Sequence, residues 1–159
     1  RKGETMFDVL VAYGTESGNA EMAADDIAAN LDARGIKTDV KSLENLNVTE
    51  LSKIPHLVIV TSTYGEGELP ETTAPFYSEL DSNAPNLSGI TFSAFGLGDS
   101  TYNNFNNAIN IVSRKLIALG ATQLGETGMH DAAMGKSLTL AATTWIDTIT
   151  SNSVSGHKA

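Results

Sequence analysis

Three glycine-rich stretches of the 159-residue chain hold the side chains whose types and spacing could do chemistry. The first is Gly14-Thr15-Glu16-Ser17-Gly18-Asn19-Ala20, which runs into a helical pattern. Free amides and the dipole at a helix N-terminus attract phosphate, and the hydroxyls of Thr15 and Ser17 can donate further hydrogen bonds. No Lys or Arg occurs from Met6 through Ala33. That rules out G-x-x-x-x-G-K-S/T, whose lysine reaches the terminal phosphates of a nucleoside triphosphate, and the dinucleotide fingerprint G-x-G-x-x-G is missing too. A seat of hydroxyls and amides alone suits one monophosphate; the same residues could equally form a capped helix with a tight turn.

The second stretch is Ser62-Thr63-Tyr64-Gly65-Glu66-Gly67-Glu68-Leu69-Pro70, and the third runs from Gly96-Leu97-Gly98-Asp99 through Tyr102 to Asn104-Phe105-Asn106. Each mixes glycine, small polar residues and one tyrosine. Glycine lets backbone approach a ligand closely, and two tyrosines can wall a flat ring on both faces because aromatic faces stack. A single loop tyrosine is usually a packed rim residue. Two of them beside a phosphate seat point to a ring-bearing monophosphate.

These stretches follow apolar runs that read as strands. Phe7–Tyr13, Ile36–Lys41, Leu57–Thr61, Ile90–Phe95 and, more weakly, Thr122–Leu124 are the candidates. Helical stripes alternate with them: Ala23, Ile27 and Leu31 stopped by Gly35; a short helix around Phe76–Leu80 after Pro70 and Pro75; Ala108, Val112, Leu116 and Leu119 closed by Gly120; and Leu138, Ala141, Trp145 and Ile149. About five βα units predict a parallel α/β sheet with helices on both faces, which explains why the central strands are continuously apolar. In such sheets ligands bind at the carboxyl ends of the strands where strand order reverses. Residues 1–159 read as one domain, with 1–5 and 151–159 as flexible tails or linkers.

Composition narrows the function further. The chain has no cysteine, which excludes disulfides, thiol catalysis and thiolate metal sites. Its net charge of −9 disfavours nucleic acid and anionic membrane as partners. His56, His130 and His157 show no metal-ligand spacing, so no metal is expected. A phospho-receiver domain shares the architecture but needs aspartates at the ends of strands one and three, which here read A-Y-G-T and V-T-S-T.

Taken together in this order, T-E-S-G-N-A, S-T-Y-G-E-G and G-L-G-D-S-T-Y resemble the flavodoxin family, short-chain type, and more narrowly the FMN domains of diflavin reductases such as sulfite reductase flavoprotein and cytochrome reductases. The resemblance implies a five-stranded parallel sheet of order 2-1-3-4-5 with FMN as cofactor. It implies that Thr15, Glu16, Ser17, Gly18, Asn19 and Ala20 wrap the phosphate and that Tyr64 and Tyr102 cover the two faces of the ring. Ser62, Thr63, Gly65, Glu66, Gly67, Leu97, Gly98 and Asp99 would lie along the ring edge, and Asn104, Phe105 and Asn106 near the ribityl chain. Asp131 matches a late carboxylate near the cofactor. In such proteins the peptide at Gly65 flips on reduction, offering a carbonyl to protonated flavin N5 and favouring one-electron steps.

The implied function is electron transfer from a reductase or FAD module to a haem or iron-sulfur protein with a basic docking surface, by a cytoplasmic monomer. Glu66, Glu68, Glu71 and Asp99 would then cluster round the ring. One carboxylate about 8 Å away opposes added negative charge by roughly 0.5–2 kcal/mol, or roughly 20–90 mV. The alternative is an FMN enzyme, a quinone or nitro-compound reductase taking hydride directly from a nicotinamide; two stacked tyrosines would leave it little room.

Overall fold

The computed structural model describes residues 8–15, 18–63, 67–99 and 107–158. Its strands are β1 (Val9–Gly14), β2 (Thr38–Ser42), β3 (His56–Ser62), β4 (Thr91–Gly98), β5 (Thr122–Gln123) and β6 (Gly128–Asp131), and its α-helices are α1 (Asn19–Ala33), α2 (Ala74–Asn83), α3 (Asn107–Ala118) and α4 (Leu138–Lys158). The sheet runs β2-β1-β3-β4-β5, with β6 also on β4, and every pairing is parallel. The predicted strand order is therefore the one observed. The chain leaves β1 toward one edge and β3 toward the other, so strand order reverses between them.

Alternation along the strands fills both faces. Leu10, Leu57, Ile59, Phe92 and Ala94 point to one core, closed by Phe76 and Leu80 of α2 and Ile109, Val112 and Leu116 of α3. Val11, Val58, Val60, Phe95 and Leu97 point to the other, closed by Ala23, Ile27 and Leu31 of α1 and Ala142, Ile146 and Ile149 of α4. Each central strand residue is thus buried whichever way it points, which leaves no room for a polar alternation. Among the described residues no helix is long and apolar enough to cross a membrane.

Three features depart from the sequence expectation. The β2–β3 crossover is made by two short 3-10 helices, Leu43–Asn45 and Val48–Lys53, which bury Leu43, Val48 and Leu51 under the sheet. The fifth strand is split. Thr91 and Phe92 face Thr122 and Gln123, whereas Phe95 faces Gly128, so residues 124–127 lie opposite only Ser93 and Ala94. The two extra residues preserve the side-chain alternation, since a slip by an even number keeps each face. Finally, α4 continues to Lys158, through the segment expected to be a tail from Ser151.

A polar cluster stitches the start of the sheet to this split. His56 Nδ1 lies 2.8 Å from Thr91 Oγ1 and its Nε2 lies 2.9 Å from Ser93 Oγ. The Ser93 hydroxyl donates to the Leu124 carbonyl at 3.0 Å, so it can only accept from the histidine. His56 is therefore the neutral Nε2–H tautomer, with Thr91 donating to Nδ1. Burial pushes its pKa from the usual 6.5 down to about 4. As pH falls below 6.5 the unfolded chain takes up this proton first, so stability declines between pH 6.5 and about 4 and this contribution levels off below that. The decline attributable to His56 is roughly 3 kcal/mol. Denaturant unfolding across that range checks it: His56→Leu should flatten the slope, and an unchanged slope would assign the acid sensitivity elsewhere.

Candidate functional site

The carboxyl ends of β1, β3 and β4 lie side by side at the reversal point, and the expected site residues follow them. In register, Gly14 faces Thr61, Ser62 faces Leu97, and Gly98 faces Asp131. The β3 and β4 loops are joined where they leave the sheet, since the Thr63 amide donates to the Leu97 carbonyl at 2.9 Å. Thr63 also caps α3 from outside: its Oγ1 accepts from the Ala108 amide at 3.0 Å. Asn107, the first residue of α3, donates its side-chain amide to the Gly67 carbonyl at 2.9 Å. Thus the start of α3 is built from the preceding β3 loop.

The first loop is held by a turn that sequence reasoning did not single out. The Thr72 hydroxyl accepts from the Thr15 amide at 2.7 Å and donates to the Thr15 carbonyl at 3.2 Å. Thr73 is fully buried, and its Oγ1 lies 2.8 Å from Thr61 Oγ1. Because the Thr61 hydroxyl donates to the Ser62 carbonyl, Thr73 is the donor of the pair. The backbone of Thr73 and Ala74 is turned by bonds of 2.9 Å to the Pro70 carbonyl. This packing dictates Gly14: a Cβ there would sit 1.6 Å from Thr73 Oγ1. The available signal was Thr72-Thr73-Ala74-Pro75, a hydroxyl pair just ahead of a proline in a first helical turn.

Helix α1 opens on Gly18 at φ 97°, a conformation costly for any residue with a Cβ, and among the described residues no side chain caps it. Thr15 Oγ1 accepts from the Gly18 amide at 2.9 Å, which leaves the Thr15 hydroxyl hydrogen able to donate outward. Asn19 is exposed, and the Ala20 side chain is buried, so Ala20 could serve a ligand only through its backbone. No Lys or Arg lies in this part of the sequence. The neighbouring charge is instead negative. Tyr13 is held above its usual pKa by burial and then by Glu21, to which it donates a hydrogen bond, with Asp25 and Glu44 beyond. Asp25 is itself raised by burial and by Glu21 and Asp26. An anion can be held here only by short-range donors. Amides and hydroxyls meet that condition, so these residues fit the phosphate of a mononucleotide.

The remaining expected residues divide clearly. Leu97 buries its side chain in the core, so it too would act through backbone. Asp99 is partly exposed at the end of β4. Asp131 stands at the end of β6, and its Oδ1 accepts from the Ala133 amide at 3.0 Å, capping the short 3-10 helix Ala132–Met134. Glu16, Ser17, Tyr64, Gly65, Glu66, Tyr102, Asn104, Phe105 and Asn106 lie outside the described residues. Among the described residues no His, Asp or Glu group could hold a metal ion.

A doubly wound parallel sheet with a cation-free helix N-terminus at its reversal point defines a class of α/β domain that seats a mononucleotide there. The chain belongs to the flavodoxin family, whose model matches residues 11–145, and this membership points to FMN as its cofactor. It is 34% identical over 122 residues to Protein MioC of Escherichia coli O157:H7, covering 77% of this chain and 82% of that one. It is 32% identical over 129 residues to the NADPH–cytochrome P450 reductase of Homo sapiens, covering 78% of this chain but 19% of the reductase. It likewise spans only 7% of the mitochondrial NADP(+) pyruvate dehydrogenase of Euglena gracilis. Oxidised Flavodoxin 2 from Bacillus cereus superposes with a TM-score of 0.81 at 27% identity, over 91% of this chain and 99% of that one.

The Gly14–Thr73 contact gives a direct test. Gly14→Ala should lower stability by about 2 kcal/mol through overpacking. Thr73→Ala alone should lower it by about 1 kcal/mol through the lost hydroxyl bond. In the double variant the 1.6 Å contact with Oγ1 is gone, while those of 2.9 Å to the residue-73 Cβ and 3.1 Å to Leu43 Cδ1 remain, so its loss in urea unfolding should fall short of the sum. Simple additivity would show that Thr73 is not what fixes Gly14.

Proposed function

We propose that this domain carries single electrons between protein partners, with the FMN phosphate on residues 15–20 and the ring between the loops after β3 and β4. The observation that supports this most is the start of α1 at the reversal point, where Gly18 supplies no side-chain cap, the Thr15 hydroxyl can donate and no Lys or Arg occurs from residue 6 to residue 33. Thr15, Ser17 and the amides of Glu16, Gly18, Asn19 and Ala20 would hold the phosphate. Tyr64 and Tyr102 would flank the ring, and backbone groups of Ser62, Thr63, Gly65, Gly67, Leu97, Gly98 and Asp99 would meet its edge, with Asn104, Phe105 and Asn106 beside the ribityl chain. Asp131 would act through the cap it places on the following turn. Bound there, FMN supplies the redox chemistry, while the protein orients it and sets its electrostatic surroundings. The donor would be a reductase or FAD module and the acceptor a haem or iron-sulfur protein, met by a cytoplasmic monomer.

Binding is tested by adding FMN to the purified chain. Stoichiometric uptake with quenching of flavin fluorescence is expected; a colourless protein that refuses FMN would overturn the reading. Rapid oxidation of a nicotinamide by the loaded chain alone would favour the hydride-accepting enzyme instead.

The carboxylates would act on the second electron. Glu66→Gln with Glu68→Gln should raise the potential of that step by roughly 20–90 mV per charge removed. Spectroelectrochemical titration reads this directly, and an unchanged or lower potential would sink the electrostatic claim.

A further inference from the structure

The described surface carries five large apolar side chains that are at least half exposed: Met22, Ile117, Met129, Met134 and Leu140. Three of them fall within the twelve residues from Met129 to Leu140. The stretch holds one Asp and one Lys, so it is neutral on a chain of net charge −9. Around Met134 the residues Ala132, Ala133 and Gly135 are exposed too. The stretch also adjoins the site. Asp131, between the two methionines, is the register partner of Gly98 at the mouth of the β4 loop.

We infer that Met129 and Met134 form an apolar docking collar on the β6 side of the flavin edge. It fits a redox protein whose contact face is apolar around its own prosthetic group. The inference rests on the carrier reading and deepens it, because it departs from docking by carboxylates alone. Exposed apolar groups next to a site mark a contact surface, and methionine adapts its shape to different partners. Two methionines with two alanines cover far less than the roughly 1,200 Å² of a stable complex. The collar therefore suits a transient encounter with a partner and is too small for a lasting dimer of this chain. Net neutrality matters as well: Asp131 and Lys136 offset each other, so the stretch sets no net charge against a partner.

Oxidised cytochrome c serves as the probe, with the FMN-loaded full chain photoreduced under anaerobic conditions. One electron leaves the reduced flavin, and the haem iron passes from Fe(III) to Fe(II). At about 0.5 M ionic strength, where charge steering is largely screened, Met129→Ser with Met134→Ser should slow the second-order reaction roughly fivefold to tenfold. Ile117→Ser, exposed at the far end of α3, should leave the rate unchanged. Methyl NMR of methionine-labelled oxidised protein gives a readout independent of turnover: cytochrome c should shift and broaden the Met129 and Met134 signals and spare Met22. An unaltered rate in the double serine variant, or an equal loss in Ile117→Ser, would overturn the collar. Failure to take up FMN would instead overturn the carrier reading, so the two failures are distinguishable.

Discussion

The carboxyl edge of this sheet depends on how closely the Pro70–Ala74 turn lies against the end of β1. Thr73 occupies the space where a side chain at residue 14 would be, and Thr72 takes both the amide and the carbonyl of Thr15. These contacts join two loops that are more than fifty residues apart in sequence. They also fix where the chain turns out of β1, and so where the first amides of α1 lie. A buried hydroxyl pair, Thr61 with Thr73, anchors the turn from below. Hydroxyls suit this place because each can accept and donate at once, so no buried polar atom of the hinge is left unpaired.

The same economy recurs one strand further along. Thr63 receives the Ala108 amide in the first turn of α3 and gives its own amide to Leu97. Asn107 returns a bond to Gly67. The described ends of these loops are thus tied to the elements beside them, and the strand ends are held independently of a ligand. A ligand meeting such a surface gives up less ordering entropy than one that must gather the loops itself.

Much of this was legible in the chain. Continuous apolar runs such as Leu57–Thr61 identify strands buried on both faces, and their alternation with helical stripes points to a parallel sheet, while the strand order came from the family resemblance. The glycine-rich loops pointed to the switch point because three of them, two carrying a tyrosine, follow the carboxyl ends of strands one, three and four. What escaped reading has physical reasons. The 3-10 helices of residues 43–53 are too short for helical periodicity, and Asn45 and Asn47 interrupt their apolar spacing. The split in strand five preserves alternation, so a pattern of period two cannot reveal it. Thr72 and Thr73 look like ordinary turn residues until the fold brings Gly14 against them. The Ser151–Ala159 stretch has the composition of a linker, and its backbone follows on from α4 to Lys158.

Electrostatics ties these observations to the function. The described cations that make specific bonds do so on the flanks: Arg34 with Asp147 joins α1 to α4, and Lys115 with Asp81 joins α3 to α2. Neither pair adjoins the start of α1, where Glu21, Asp25 and Glu44 gather. Long-range charge therefore opposes an anion at the phosphate seat, while short-range donors favour it. The two act over different distances, since hydrogen bonds operate within about 3 Å and the field of solvated carboxylates decays over about 8 Å in physiological salt. On the reading proposed above, one edge of the sheet would thus hold a phosphate and still resist the accumulation of negative charge on the bound ring. An arginine or lysine at residues 15–20 would secure the phosphate more simply, but it would also weaken that resistance. Holding the phosphate with amides and hydroxyls keeps affinity and reduction potential separately adjustable.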